Sequence, residues 1–383
     1  MRKRITVSAA LLAAMTNWAC AQTTSAFVTT LGRDTLAFEQ YRQSGDTVTG
    51  DWVTVYGGVM YHHYTILLRP DGRIARYVLS LHRASGKMED TVAIAFDGDS
   101  VTVASSRARL PQRYGAQVDG ATFATTIAPL ETYTLRARRL GVDSLGVAAV
   151  PAFGPYQRNE TRLVFYGQDS ARLGNPRGPL YLLVDRAGRV QGLSARAATT
   201  RMEVTRVAPF DLDAVVRRFP NVADDAPILG IPSLSPRDTT RAVVGDAVVT
   251  IDYGRPSVRG RNVFSRGVLG DTLWRVGANA ATQLTTTSAL SVGGKRLPAG
   301  TYSLWIHVSP ANSSYELVVN SQHGQWGTEH HFDRDLFAVP LTARHLGNAA
   351  DQLDIAVDTT GGRSTLRIRW ADLELSTPVS VWR

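Results

Sequence analysis

The stretch Leu366-Arg367-Ile368-Arg369-Trp370-Ala371-Asp372-Leu373-Glu374-Leu375 decides the fold. Leu366, Ile368 and Trp370 alternate with Arg367 and Arg369, and Leu373 and Leu375 alternate with Asp372 and Glu374. A period of two puts the apolar set on one face of a strand and the charges on the other, the signature of a half-buried sheet. The same period recurs upstream. Val249, Ile251 and Tyr253 alternate with Thr250 and Asp252; Tyr302, Leu304, Ile306 and Val308 share a face, as do Tyr315, Leu317 and Val319. Gly361-Gly362 reads as a hairpin turn. Residues 237–383 therefore read as an antiparallel β-sandwich or jelly roll with one wet face per sheet.

Residues 22–208 also read as successive antiparallel strands, forming a meander or open barrel. Arg69-Pro70-Asp71-Gly72 is a tight-turn signal between strands over 61–68 and 74–81. Asp97-Gly98-Asp99 and Asp185-Arg186-Ala187-Gly188 are further turns. Tyr133, Leu135 and Ala137 alternate with Thr134, Arg136 and Arg138, which predicts a strand there as well. His62 and His63 are adjacent on a strand and so point to opposite faces. Between the two β halves, residues 209–236 hold a short helix over 210–219, capped by Asp211 and ended by Pro220, and then a linker with Pro227, Pro232 and Pro236. The expected fold class is all-β, with two antiparallel domains joined by a short helix and linker.

Composition narrows the function classes. Of 383 residues, 44% are hydrophobic and 20% charged, enough apolar material for a core and too much for a disordered chain. One cysteine excludes a disulfide scaffold. Residues 1–21 carry Arg2, Lys3 and Arg4, then an apolar stretch, then Ala19-Cys20-Ala21 before Gln22. That order reads as a secretory signal peptide, too short to span a membrane. Lipid anchoring at Cys20 is the weaker reading, because Asn17 and Trp18 fit an acylation site poorly. Cleavage takes the net charge from +9 to +6, since three cations leave, and leaves Lys87 and Lys295 as the only lysines. The arginines are scattered rather than blocked, which argues against nucleic acid. An outer-membrane barrel also alternates in this way, but the chain ends Val381-Trp382-Arg383, without a terminal aromatic. The expectation is a periplasmic or extracellular protein that does not span a membrane.

Four further strings stand out in order. They are Tyr253-Gly254-Arg255-Pro256-Ser257-Val258-Arg259-Gly260-Arg261, then Leu273-Trp274-Arg275-Val276-Gly277-Ala278-Asn279, then Gly293-Gly294-Lys295-Arg296-Leu297-Pro298-Ala299-Gly300-Thr301-Tyr302, and Gln325-Trp326-Gly327-Thr328. This series resembles the bacterial family called domain of unknown function 2911, over about residues 235–383. The resemblance implies an exported, compact β domain, and it implies no catalytic residues. The chain departs from the family at Glu329-His330-His331, where a typical member has a tyrosine shortly after Gly-Thr. The first half resembles no family.

Two constellations could carry chemistry. Arg255, Arg261, Trp274, Arg275, Asn279 and Trp326 are groups that bind sugars or carboxylates. The competing reading makes them architecture: turn glycines, core aromatics such as Trp274 and Phe264, and arginines tying loops. His330, His331 and Asp333 could bind a metal, although they match no strict motif. No Gly-x-Ser-x-Gly elbow and no His-Glu-x-x-His is present. No cofactor is implied. The residues point to an exported cell-envelope protein that binds or builds, with a glycan, a lipid or an envelope protein as partner. The alternative is a periplasmic hydrolase of an envelope glycan or ester, and the sequence leaves open whether it is an enzyme.

Overall fold

The structure is a computed structural model describing residues 24–98, 100–106, 111–115, 120–122, 126–151, 159–174, 178–197, 201–221, 223–226, 234–263, 273–309 and 314–383. The expected signal peptide with Cys20, most of the linker prolines and Phe264 lie outside these residues.

Two antiparallel sheets, neither closed into a barrel, form two β domains, with a short helix between them. The first sheet has fifteen strands among the described residues. It consists of two meanders. One steps back from Gln112–Gly115 to Ser25–Leu31, and the other steps from Glu203–Val207 back to Ser144–Pro151. They join where Ser25–Leu31 pairs antiparallel with Glu203–Val207. The turns form where the sequence places them: Gly72, Gly98 and Gly188 all have positive φ. His62 is buried, with Nδ1 at 3.0 Å from the Trp52 carbonyl, while His63 pairs on the outside with Asp51. Burial pushes His62 down to about 3, so its ring is neutral.

Residues 133–138 are not a strand. They belong to helix α1, Ile127–Leu140, which Gly141 ends in the left-handed conformation. A six-residue window with alternating apolar residues is too short to separate the two periods. The wider spacing Ile127, Leu130, Tyr133 and Ala137 is helical, and all four are buried. The helix also explains the single parallel pairing of this sheet among the described residues. Gly120–Thr122 pairs parallel with Ala149–Pro151, and α1 is the crossover such a pairing requires. Helix α1 packs into the same core as Phe27, Tyr64, Ile66, Tyr77 and Ile94 from one meander and Leu163, Leu182 and Val190 from the other. At its C-terminal end Arg139 donates to the Pro70 carbonyl, at 3.1 Å, and Arg138 to the Gly167 and Gln168 carbonyls, at 3.0 and 3.1 Å. The two arginines fasten α1 to turns of both meanders.

The short helix α2, Leu212–Val216, forms as its cap predicts: the Asp211 carboxylate accepts from the Ala214 N–H at 2.9 Å. Val216 packs with Phe38, Val53, Val55 and Val59 on the face of the sheet away from α1. Residues 223–226, in the linker that follows, are tied down. Buried Arg83 pairs with Glu89 and donates to the Ala223 and Ala226 carbonyls, at 2.8 and 2.6 Å.

The second sheet has ten strands among the described residues and folds over on itself through a long hairpin, Asp335–Thr360 with Arg363–Val381. Gly361 and Gly362, both at positive φ, make its turn. Leu366, Ile368, Trp370, Leu373 and Leu375 are buried against Val249, Ile251, Tyr253, Leu304 and Leu317 in one core. Ala371, at positive φ beside a register shift, resets the alternation between Trp370 and Leu373 so that both apolar runs face inward, and Glu374 is buried with them, paired to Arg344 and Arg369. The domains meet at Gly32. Its φ of +60° makes a turn that brings the Arg33 N–H to the Arg259 carbonyl at 3.0 Å, while Arg259 pairs with Asp34 and donates to the Leu234 carbonyl. A Cβ at position 32 would sit 2.2 Å from the Arg259 carbonyl oxygen. Gly32→Ala is therefore expected to push the domains apart at this contact and add backbone strain. Limited proteolysis of the linker should then speed up severalfold, and an unchanged cleavage rate would show that the contact does not hold the domains.

Candidate functional site

Residues 253–258 lie along residues 351–355 like a strap. Ser257 and Gln352 form an antiparallel bridge; the Leu353 N–H donates to the Pro256 carbonyl at 3.0 Å and the Val258 N–H to the Asp351 carbonyl at 2.6 Å. The Tyr253 hydroxyl accepts from the Ile355 N–H at 3.2 Å. Arg255 donates through Nε to the Leu353 carbonyl at 3.1 Å and pairs with Asp238 at 2.9 Å. Arg261 donates to the Val258 and Ser257 carbonyls, at 3.0 and 2.8 Å. Burial, then Arg259 and Arg201 beside it, lowers its pKa. Trp274 is buried and stacked on Trp370, centroids 5.6 Å apart. Tyr253, Arg255 and Trp274 fasten the long hairpin to the sheet, and Arg261 ties the strap to itself.

Arg275, Asn279 and Trp326 come together elsewhere. Asn279 is left-handed, φ +64°, and its carbonyl accepts from the Gly327 N–H at 2.9 Å and from Arg275 at 3.4 Å. Its side-chain amide donates to the Ser235 carbonyl at 3.2 Å. Arg275 runs so close under Gly327 that a Cβ there would lie 2.1 Å from the arginine Cδ, which is why the Gln-Trp-Gly-Thr string needs glycine. Burial lowers the Arg275 pKa. This packing fixes the backbone under Trp326, whose side chain is 47% exposed.

The loop that follows Trp326 holds the second constellation. His330 turns inward: Nε2 is 2.9 Å from Asp335 Oδ1 and its ring lies edge-on to Trp305 at 4.7 Å and to Phe332 at 4.6 Å. The fully buried Asn320 ties the loop by donating to Asp335 at 2.7 Å and to the His331 carbonyl at 2.8 Å. His331 and Asp333 face solvent, and Asp333 is 3.8 Å from Arg334. The partner of His330 is thus Asp335, not Asp333. Among the described residues no group of three His, Cys, Asp or Glu side chains is arranged to hold a metal. Phe332, 75% exposed, and Leu336 project beside this pair. Sequence reading singled out Trp326 and missed Phe332, whose neighbours carry no alternation that would expose it.

A third cluster was missed altogether. Glu39 is fully buried between the sheet and α1. Its Oε2 accepts from the Ile127 N–H at 2.6 Å, and Oε1 accepts from the Ala128 N–H at 3.1 Å and the Tyr64 hydroxyl at 2.7 Å. It caps α1 from another element, in place of Thr126, whose side chain makes no cap bond. Desolvation raises its pKa to about 7, against the pull of these donors. Glu131, on α1, accepts from the Val190 N–H at 2.6 Å and pairs with Arg206 at 2.8 Å; burial raises its pKa too. The signal was present: period two puts Glu39 on the same strand face as Ala37 and Tyr41, which are buried. The arrangement is a helix clamp in which both buried carboxylates are hydrogen-bonded, Glu39 by three donors.

A search of solved structures returns the crystal structure of a DUF1089 family protein from Pseudomonas aeruginosa, 14% identical, covering 49% of this chain and 95% of that one, with a TM-score of 0.34. No curated protein matches. Residues 235–379, which include the strap, the Asn279 turn and the His330 loop, match the family described as protein of unknown function DUF2911.

Proposed function

We propose that the protein is exported to the cell envelope and works there as a non-catalytic binding module, with the loop over 320–336 as its binding face. The observation that carries this reading is the exposure of Trp326, Phe332 and Leu336 on a loop whose backbone is pinned by Asn279 and Asn320. A large aromatic side chain held open to water on a rigid loop is the usual form of a recognition anchor. The strap arginines support the same division of labour, because Arg255 bonds the Leu353 carbonyl and Asp238, and Arg261 the Val258 and Ser257 carbonyls, all within the domain. The basic leader over 1–21 supports export. The test is cellular fractionation of the full chain, followed by co-sedimentation of the purified mature protein with isolated envelope. The protein is expected outside the cytoplasm, and Trp326→Ala with Phe332→Ala should cut sedimentation at least tenfold. A cytoplasmic location, or unchanged sedimentation of the double variant, sinks the proposal.

One observation favours the hydrolase reading as a second choice. An imidazole oriented by a carboxylate, as His330 is by Asp335, is the arrangement a general base requires. Hydrolysis of chromogenic esters or glycosides, abolished by His330→Gln, would put this reading first.

A further inference from the structure

We infer that the loop over 320–336 binds a neutral carbohydrate, seated on Trp326 and Phe332 with its hydroxyls on His330 and Gln325. The inference rests on the binding role proposed above and assigns the ligand's chemistry. Nε2 of His330 faces the Asp335 carboxylate, which can only accept, so Nε2 carries a proton. The other ring nitrogen, Nδ1, has no partner, although the side chain is 8% exposed. Gln325, equally buried, bonds Ser303 through one end of its amide at 3.0 Å, and the other end has no partner. Oε1 of Gln322, in the same loop, is also buried and unpartnered. Buried polar groups are ordinarily paired, and leaving them bare costs free energy. Three in one loop that also carries two exposed aromatic rings, one of them against His330, mark a place built for a partner.

The kind of partner follows from the groups. A hydroxyl donates and accepts, so it satisfies a ring nitrogen and either end of an amide. The loop carries Glu329, Asp333 and Asp335 against Arg334, which disfavours an anion. A quaternary ammonium ion could stack on the rings but has no donor for the unpartnered atoms. A pyranose meets both demands: its C–H face stacks on an aromatic ring and its rim is hydroxyl. Phe332 stands edge-on to His330 and is held by few contacts, so rotation of its side chain opens Nδ1 to the sugar.

The experiment is saturation-transfer NMR on the mature chain with cellobiose, maltose and N,N′-diacetylchitobiose, each beside its permethylated form. At least one free disaccharide is expected to show transfer at millimolar concentration, and its permethylated form none. Trp326→Ala and His330→Leu should each weaken binding at least tenfold. Phe332→Ala, at an exposed position that cannot upset folding, should weaken it severalfold. No transfer to any free disaccharide, equal transfer to the permethylated forms, or binding indifferent to Trp326→Ala and Phe332→Ala would overturn the inference. If the sugars fail while the double variant still loses envelope sedimentation, the binding role stands and the carbohydrate falls; if both fail, both fall.

Discussion

Glu39→Ala is expected to lower the stability of the N-terminal domain by about 3–5 kcal/mol, read as a shift of the urea midpoint of the mature chain. The substitution removes more than a side chain. It strips the N–H groups of Ile127 and Ala128 and the Tyr64 hydroxyl of their acceptor, in a place water does not reach. Each buried donor left bare costs about 1–3 kcal/mol. Helix α1 loses the acceptor of its first two N–H groups, and α1 fills the space between the two meanders, so the loss spreads through the whole core. Tyr64→Phe is the control: it removes one of the three donors and should cost about 1 kcal/mol. If Glu39→Ala left the midpoint in place, the clamp would be ornamental.

The same residue sets a pH dependence, and its sign is unusual for a carboxylate. Glu39 titrates near 7 in the fold against an ordinary 4.5. The folded state therefore holds a proton, between those two values, that the unfolded chain has released. Stability from this group is full below pH 4.5, declines as pH rises to 7, and is lost above it, by roughly 3 kcal/mol in all. A wild-type midpoint higher at pH 5 than at pH 8 is expected, with a flatter profile in Glu39→Gln. Glutamine keeps an oxygen for Tyr64 and Ala128 but turns an amide N–H toward the Ile127 N–H, so it should sit between wild type and alanine at neutral pH.

How much of this was legible depended on how local each signal was. The alternations over 366–370 and 372–375 are properties of adjacent residues, and both runs turn their apolar side inward, across the irregularity at Ala371, because burying it is the main gain available to them. Gly361-Gly362, Asp211 and the His62-His63 pair are equally local, and they behave as read. Helix α1 is different. Glu131, Thr132, Thr134 and Arg136 are buried in it, and polar residues inside a helix erase the apolar stripe that would announce it. What makes Glu131 tolerable is Arg206 and the Val190 N–H, about 60 to 75 residues away in sequence, while Thr132 and Thr134 donate to the Pro129 and Glu131 carbonyls of the same helix. The Gly32–Arg259 contact is likewise invisible until the chain is folded. In the candidate site, Trp326 was legible as an aromatic in an unusual string. The pairing of His330 with Asp335 rather than Asp333 was not, because the turn over Phe332–Arg334 leaves Asp333 in solvent and brings Asp335 back to His330.

The strongest test of what the strings over 253–261 and 273–279 are for is Gly254→Ala. Gly254 and the Gly277-Ala278 peptide pack backbone to backbone. A Cβ at 254 would lie 2.2 Å from the Ala278 carbonyl oxygen and 2.9 Å from its carbon. Neither is the end of a flexible side chain, so relief requires moving a peptide. On one side lies the strap that holds residues 351–355; on the other lies the turn through Asn279 that supports Gly327 and Trp326. The expected cost is about 3 kcal/mol or more in the C-terminal domain, more than ordinary overpacking produces. Arg255→Ala loses its bonds to the Leu353 carbonyl and Asp238 and should cost about 1 kcal/mol. A folding element predicts that order, glycine far above arginine. A ligand site built on the strap predicts the reverse in a binding assay: Arg255→Ala would leave the urea midpoint unchanged and abolish binding. Measuring both variants in both assays separates the two, and the carbonyl partners of Arg255 and Arg261 place the weight on folding, with recognition left to the loop that Trp326 begins.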